Sequence, residues 1–451
     1  YALMTKTSFE SRATFRIFSL LISLAALFLF YLFIKSISTR AIAVIASIYY
    51  GFSVTFLNYA DSISTQPFTI FFTFLILLLS VTASRRTVLI WAAYLTLSLS
   101  SYDATFFVFA WLVLYDAIIL CPFETSPVGR KKLLWQKWLF FASAPLLGFA
   151  LQIIQNTWYL GWIGTWRDIY ASYIGRAIGS LKGFILGLIA PFVSMTSFKT
   201  VFIFKKIVVA LASAVVIFVS LWEIYRRERN FREKIGLNFN YFKIVLVLAI
   251  AAVAQPFFIN VTGHWPYQGV LTAPFWGLLI GASSIFIINT LRTKELNVYK
   301  TFSFWTLALV VSILWSAQFY STFVYAKDWP NNRPDKKVIE FSKTIRMIAP
   351  GKEKLAFRIY PKNPIWKSQF PTFNYEYYLE MPKVDFANTS DLLVDFWWFK
   401  NRSEYPFYSF IIAENKSDIE KIRHELEVNN IKNISPIMEI QGQYVFIVDP
   451  K

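Results

Sequence analysis

The chain has 451 residues, 56% of them hydrophobic and only 16% charged, with a mean hydropathy of +0.46. Soluble domains run at about 45–50% apolar and about 25% charged, so the composition excludes a soluble globular protein, a disordered chain and a fibrous repeat. Cys121 is the single cysteine, which excludes an intramolecular disulfide and a thiolate metal cluster, and His264 and His424 are the two histidines, too few for a histidine-based metal site.

A helix crossing the hydrocarbon core needs about 20 apolar residues. Ten segments qualify as spans: 14–35, 41–59, 66–83, 87–101, 103–121, 138–156, 207–224, 243–260, 268–291 and 302–326. The fourth and fifth are separated by Ser101-Tyr102-Asp103 alone, and are read as a two-helix hairpin in preference to one interrupted helix. The fold class expected is a mainly α, polytopic membrane helix bundle with a small exterior α/β domain at the C-terminus.

The net charge of +18 is unevenly spread. Residues 327–451 hold 19 basic and 17 acidic side chains, leaving 26 basic and 10 acidic in 1–326, between the apolar runs. That distribution is a topology signal; nucleic acid is not an expected partner. Loops rich in Lys and Arg stay cytoplasmic: Lys35 to Arg40, Arg85-Arg86, Arg130 to Lys137, Arg226 to Lys243 and Arg292 to Lys300. The poor loops, 60–65, 101–103 and 261–267, fall on the exterior, together with the long segment 157–206 and everything after Lys327. This pattern also puts residues 1–13 outside. With Tyr1 first and no signal peptide, it leads to the expectation that a span precedes this sequence.

Two exterior segments have structure of their own. In 157–206, Trp158, Tyr159, Trp162 and Trp166 crowd the start, as expected at a membrane–water boundary, and Lys182 to Met195 reads as a short interfacial or re-entrant helix, a cover over the bundle or a lid above a lipid-linked substrate. Residues 327–451 form the second domain, after the membrane domain 1–326. Helices are expected at 335–348 and 416–429, and strands at 354–360, 392–398, 407–413 and 443–448. Five glycosylation sequons, at Asn260, Asn388, Asn401, Asn415 and Asn433, all lie on the side assigned as exterior.

Ionisable residues at the edge of a bilayer are costly and hence candidates for function. On the exterior side, Asp61 and Asp103 are candidate catalytic carboxylates, and each also suits a helix cap. Arg167, Arg176 and Lys182 are candidate ligands of a phosphate, or headgroup anchors; Arg167 also has Asp168 beside it as an ion-pair partner. Tyr102, His264, Tyr267 and Gln268 are candidate substrate-binding residues. These residues require no cofactor, and a divalent metal stays open.

Arg16-Ile17-Phe18-Ser19 opening a span, Tyr59-Ala60-Asp61, the paired spans around Ser100-Ser101-Tyr102-Asp103, Gln155-Asn156 to Arg176, and His264 to Pro274 together resemble polyprenyl-phosphate-dependent glycosyltransferases of the C-type membrane fold. The branch is the family-39 type, which contains protein O-mannosyltransferases and the lipid A aminoarabinose transferase. The resemblance covers nearly the whole chain, with loose motifs. It implies a transferase in the cell membrane that moves a sugar, with inversion, from an undecaprenyl- or dolichyl-phosphate carrier to a lipid, glycan or protein acceptor on the exterior side. It also implies that the catalytic aspartate lies in a loop before Tyr1. This sequence departs from the family where Ser62 and Ser64 replace charged residues and Gln268 replaces an arginine, so donor-phosphate binding would rest on Arg167, Arg176 or Lys182. A transporter or flippase for lipid-linked sugars is the alternative, although the span interiors are almost free of charge. A membrane scaffold presenting the C-terminal domain is a further alternative.

Overall fold

The computed structural model describes residues 12–60, 66–82, 87–100, 102–120, 128–174, 203–227, 240–254, 269–293, 302–328, 355–360, 383–385, 408–413, 415–440 and 442–449, with isolated positions between them. The chain divides into two compact units, Tyr1–Tyr325 and Ala326–Lys451.

The first unit is a helix bundle. Its helices are α1 (Arg12–Ile37), α2 (Arg40–Gly51), α3 (Val54–Ala60), α4 (Gln66–Thr82), α5 (Thr87–Ser98), α6 (Tyr102–Leu114), α7 (Val128–Ile174), α8 (Ile203–Arg227), α9 (Tyr241–Ala252), α10 (Gly269–Thr293) and α11 (Phe302–Asp328). Four stretches are long and apolar enough to cross a membrane by length and composition: Arg16–Ile37, Leu133–Trp158, Gly269–Arg292 and Phe302–Lys327. Six shorter apolar helices lie on the other expected spans. The hairpin expected at 101–103 is present, with α5 and α6 tied by the Tyr94 hydroxyl, which donates to the Thr105 carbonyl at 2.8 Å.

Two elements differ from the sequence reading. The span expected at 41–59 is broken at Phe52–Ser53 into α2 and α3. The Ser53 hydroxyl accepts from the Phe56 amide at 3.0 Å and so caps a new helix inside an apolar run. The span expected at 138–156 extends in both directions, and within α7 Gly161 takes φ 70°, ψ 168°, which separates the membrane-length part from the piece ending at Ile174. Within the segment read as an interfacial or re-entrant helix, Lys182 to Met195, which lies mostly outside the described residues, Phe192 contacts the bundle. That residue is buried, its ring meets Phe275 at 5.2 Å, and its carbonyl accepts from the Trp276 indole at 3.1 Å.

Close approach of α10 to α2 fixes the bundle centre. Gly277 and Gly281 share one face of α10. A Cβ on Gly281 would stand 2.8 Å from the Ile42 carbonyl oxygen, and one on Gly277 would stand 2.8 Å from Phe30 Cζ. Small residues four apart let helix backbones meet where water supplies no driving force. Aromatic contacts of Phe30 with Tyr50 and Phe74, at 5.0 and 5.1 Å, complete this centre. Farther along, α6 continues into a single π-helical stretch, Tyr115–Leu120. It carries the buried Asp116, whose carboxylate pairs with Lys137 Nζ of α7 at 2.7 Å.

The second unit is a small α/β fold. Its strands are β1 (Leu355–Tyr360), β2 (Lys383–Asp385), β3 (Tyr408–Ala413), β4 (Asn433–Ile434), β5 (Met438–Ile440) and β6 (Gln443–Asp449), with α12 (Lys416–Val428) between β3 and β4. The sheet order is β2-β1-β3-β6-β4, with β5 also on β6; β1 is parallel to β2 and β3, and β6 is antiparallel. Ile419, Ile422 and Leu426 of α12 pack with Ile411, Ala413, Phe446 and Val448 on one sheet face. The wholly buried Arg358 projects from β1 beside Ile411 and donates to the Ser409 hydroxyl. The strand expected at 392–398 instead begins on helical backbone at Leu392 and Leu393. Leu392 is wholly buried in the α12 cluster, and a short buried apolar run has the same pattern in either conformation.

Candidate functional site

The bundle interior changes character along α1 and α4. On α1 the buried seam reads Ser19, Ser23, Ala26, Phe30, Phe33 and Ile37, so its first two turns are hydroxylic and the rest is apolar. On α4 the buried hydroxyls also come early: Thr69 and Thr73 are interleaved with Pro67, Ile70 and Phe74, and from Ile76 through Leu77 to Leu79 the buried positions are apolar. The ring contact of Phe18 with Phe68, at 6.1 Å, brings the two hydroxylic starts together. The α3 end joins them, because the Ser23 hydroxyl donates to the Ala60 carbonyl at 2.9 Å. The end of α5 joins through Thr69, whose hydroxyl donates to that of Ser100 at 3.3 Å, and Ser100 in turn donates to the Leu97 carbonyl at 2.8 Å. This polar end is flanked by the loops 60–65 and 101–103, which the charge pattern assigns to the exterior.

Arg16 belongs to this end. It precedes Ser19 and Ser23 by three and seven residues and therefore shares their face of α1. Its Nε is buried while the residue as a whole is half-buried, on the face of α1 that Ser23 holds to the end of α3. Gln66 opens α4 at the same end, and its Oε1 is buried without a hydrogen-bond partner among the described residues. Sequence reasoning assigned no chemistry to either residue. The signal available was the helical spacing of Arg16, Ser19 and Ser23 on a stretch otherwise apolar.

The sequence-based candidates stand as follows. Tyr102 and Asp103 lie on the first turn of α6, at the polar end, and Arg167 lies on the part of α7 after Gly161; for these three the backbone alone is described. Asp61, Arg176, Lys182, His264, Tyr267 and Gln268 lie outside the described residues. Asp61 directly follows Ala60, which Ser23 holds, so the chain enters the 61–65 junction from the polar end. After Gly161, Trp162 and Trp166 meet at 5.5 Å and are both exposed, as is Trp158, an arrangement suited to the boundary of a bilayer. The Thr165 hydroxyl donates to the Gly161 carbonyl at 3.0 Å and holds this turn. Among the described residues no group of three or more His, Cys, Asp or Glu side chains comes together to hold a metal.

No family model and no curated protein sequence matches this chain. Solved structures do. The chain is similar to the crystal structure of ArnT from Cupriavidus metallidurans in the apo state, with a TM-score of 0.51 and 13% identity, over 96% of this chain and 83% of that one. It is similar also to ArnT from the same organism bound to undecaprenyl phosphate, with a TM-score of 0.50 and 14% identity, over 96% of this chain and 84% of that one. The chain has the fold of ArnT. That fold is the one the sequence resemblance implies: a polytopic membrane helix bundle followed by a small α/β unit.

Proposed function

We propose that this chain is an integral glycosyltransferase of the cell membrane that moves a sugar from a polyprenyl-phosphate carrier to an acceptor at the face reached by the polar end of the bundle. The observation that carries this reading is the shared fold, over 96% of the chain, with an ArnT that binds undecaprenyl phosphate. The polar end adds to it, because a half-buried arginine and buried hydroxyls at one end of an apolar bundle suit a phosphate headgroup whose hydrocarbon tail stays in lipid.

In this reading the acceptor hydroxyl attacks the anomeric carbon, the bond from that carbon to the phosphate oxygen breaks, and the carrier phosphate leaves. The acceptor proton passes to a carboxylate, for which Asp61 and Asp103 are the candidates in this sequence. Charge developing on the leaving phosphate is stabilised by cations in a partly desolvated site, a role for Arg16 with Arg167, Arg176 or Lys182. Tyr102, His264, Tyr267 and Gln268 would contact the substrates. In this reading the C-terminal unit lies on the exterior side of the membrane. The acceptor is a lipid, glycan or protein.

The test is binding of undecaprenyl phosphate to the purified chain in lipid nanodiscs, followed by transfer of a labelled sugar from that carrier to a membrane extract. Saturable binding and transfer are expected. Arg16→Ala should weaken carrier binding about tenfold, the worth of one charge-assisted hydrogen bond at a partly exposed site. Absence of saturable carrier binding by the unaltered chain overturns the reading.

A further inference from the structure

We propose that Gln66 reads the sugar of the lipid-linked donor, its side-chain oxygen accepting a hydrogen bond from a sugar hydroxyl or amine. This rests on the glycosyltransferase reading and assigns, within that site, a residue that separates sugar recognition from carrier recognition.

The argument starts from hydrogen-bonding capacity. A buried amide oxygen has two acceptor positions, and leaving both empty costs free energy, so natural structures fill them with protein, water or ligand. Gln66 Oε1 is buried and has no partner among the described residues, although hydroxyls stand close along the same helix. Thr69, one turn further on and on the same face, is already committed to Ser100, whose own proton goes to the Leu97 carbonyl. Neither of these bonds is made to Gln66. Thr73, a further turn inward, is wholly buried, and its hydroxyl likewise has no partner among the described residues. A helical threonine ordinarily bonds back to the carbonyl four residues earlier, as Thr82, Thr96 and Thr306 do here. The α4 stripe therefore keeps unused polar capacity at two points about 10 Å apart, the deeper one wholly enclosed.

The chemistry of the side chain selects the partner. An amide carries no charge and forms no ion pair with the donor's phosphate, a singly charged diester, whereas its oxygen accepts from O–H and N–H groups such as a pyranose displays. Arg16, on the facing start of α1, has the opposite preference. Phosphate and sugar are adjoining parts of one donor, and the Phe18–Phe68 contact holds the two first turns side by side. A cation for the phosphate and a neutral acceptor for the sugar on neighbouring turns match that composition.

The test compares affinities of the full chain in nanodiscs for free undecaprenyl phosphate and for undecaprenyl phosphate carrying glucose, mannose or aminoarabinose. The quantity read is the ratio of sugar-linked to free-carrier affinity; dividing each variant's ratio by that of the unaltered chain cancels general effects on folding and the fixed difference between the monoester of the free carrier and the diester of the donor. The unaltered chain is expected to favour at least one sugar-linked form. Gln66→Met, of similar length but without the oxygen, should lower that ratio about five- to tenfold while free-carrier affinity and thermal midpoint stay unchanged. Gln66→Glu, which keeps an acceptor oxygen, should hold the ratio within about twofold of the unaltered chain. A Gln66→Met ratio equal to that of the unaltered chain, an equal fall in Gln66→Glu, or a ratio of one for all three sugars in the unaltered chain overturns the assignment. Failure of the unaltered chain to bind even the free carrier defeats the glycosyltransferase reading instead.

Discussion

Substituting Gly281 with alanine tests the close packing that holds the bundle centre. The added Cβ would meet the Ile42 carbonyl oxygen at 2.8 Å and Ile42 Cγ2 at 2.9 Å. The first of these is backbone of a neighbouring helix, so relief requires α2 and α10 to separate by several tenths of an ångström along their contact. Overpacking of this kind costs about 1–3 kcal/mol, and the exchange of glycine for alanine inside a helix returns about 1 kcal/mol. The net is a loss of up to about 2 kcal/mol, or a thermal midpoint up to about 4 °C lower at about 2 °C per kcal/mol for a chain of this size. Gly51→Ala is the internal control. Its Cβ would meet Leu27 Cδ2 at 3.2 Å, the end of a side chain that can turn aside, so the helix gain should leave its midpoint unchanged or raised. Intrinsic tryptophan fluorescence of the detergent-solubilised variants during a thermal ramp is the assay. If Gly281→Ala melts at or above the Gly51→Ala control, the close approach of α2 and α10 is not what holds the centre.

Three further outcomes follow from particular contacts. Lys137→Met leaves Asp116, 4% exposed, without its counter-ion; with Lys137 itself 31% exposed, the cost should be about 1–3 kcal/mol, and adding Asp116→Asn should recover part of it, both measured as midpoint shifts. Gly161→Ala should destabilise the turn in α7 by about 1–3 kcal/mol through its backbone alone, since φ 70°, ψ 168° is a conformation that glycine adopts and other residues rarely do, while nothing stands within 4 Å of the new Cβ. Brominated lipids should quench Trp162 and Trp166 in single-tryptophan variants, with bromines placed high on the acyl chain more effective than those near its end.

Apolar run length made most of the bundle legible, because a bilayer demands it whatever the tertiary contacts. The ten expected segments all fall on apolar helices, and the turn between α5 and α6 was visible in Ser101-Tyr102-Asp103. What escaped were features decided by one residue against an unchanged background. Ser53 breaks a span because its hydroxyl finds the Phe56 amide, whereas Ser23, in an equally apolar setting, finds a carbonyl on another helix and breaks nothing. Glycine spacing in α10 was readable, but which helix it met depended on the fold. In the C-terminal unit the strands at Leu355–Tyr360, Tyr408–Ala413 and Gln443–Asp449 lie on expected strands, while β4 and β5, of two and three residues, are too short to carry a period. The polar end was only half legible. Its acids and aromatics stood out in loops, but Arg16 and Gln66 gain meaning from Ser23 reaching Ala60 and from Phe18 meeting Phe68, contacts between segments distant in sequence.

The account rests on the lipid-linked donor meeting the bundle at the starts of α1 and α4. A photoreactive undecaprenyl phosphate analogue with its reactive group next to the phosphate, cross-linked to the chain in nanodiscs and mapped by peptide mass spectrometry, tests this directly. The account predicts attachment within the first two turns of α1 or α4 or in the adjoining 60–65 junction, lost on competition with unlabelled carrier. Attachment concentrated instead at the opposite end, around Asp116 and Lys137, would contradict it.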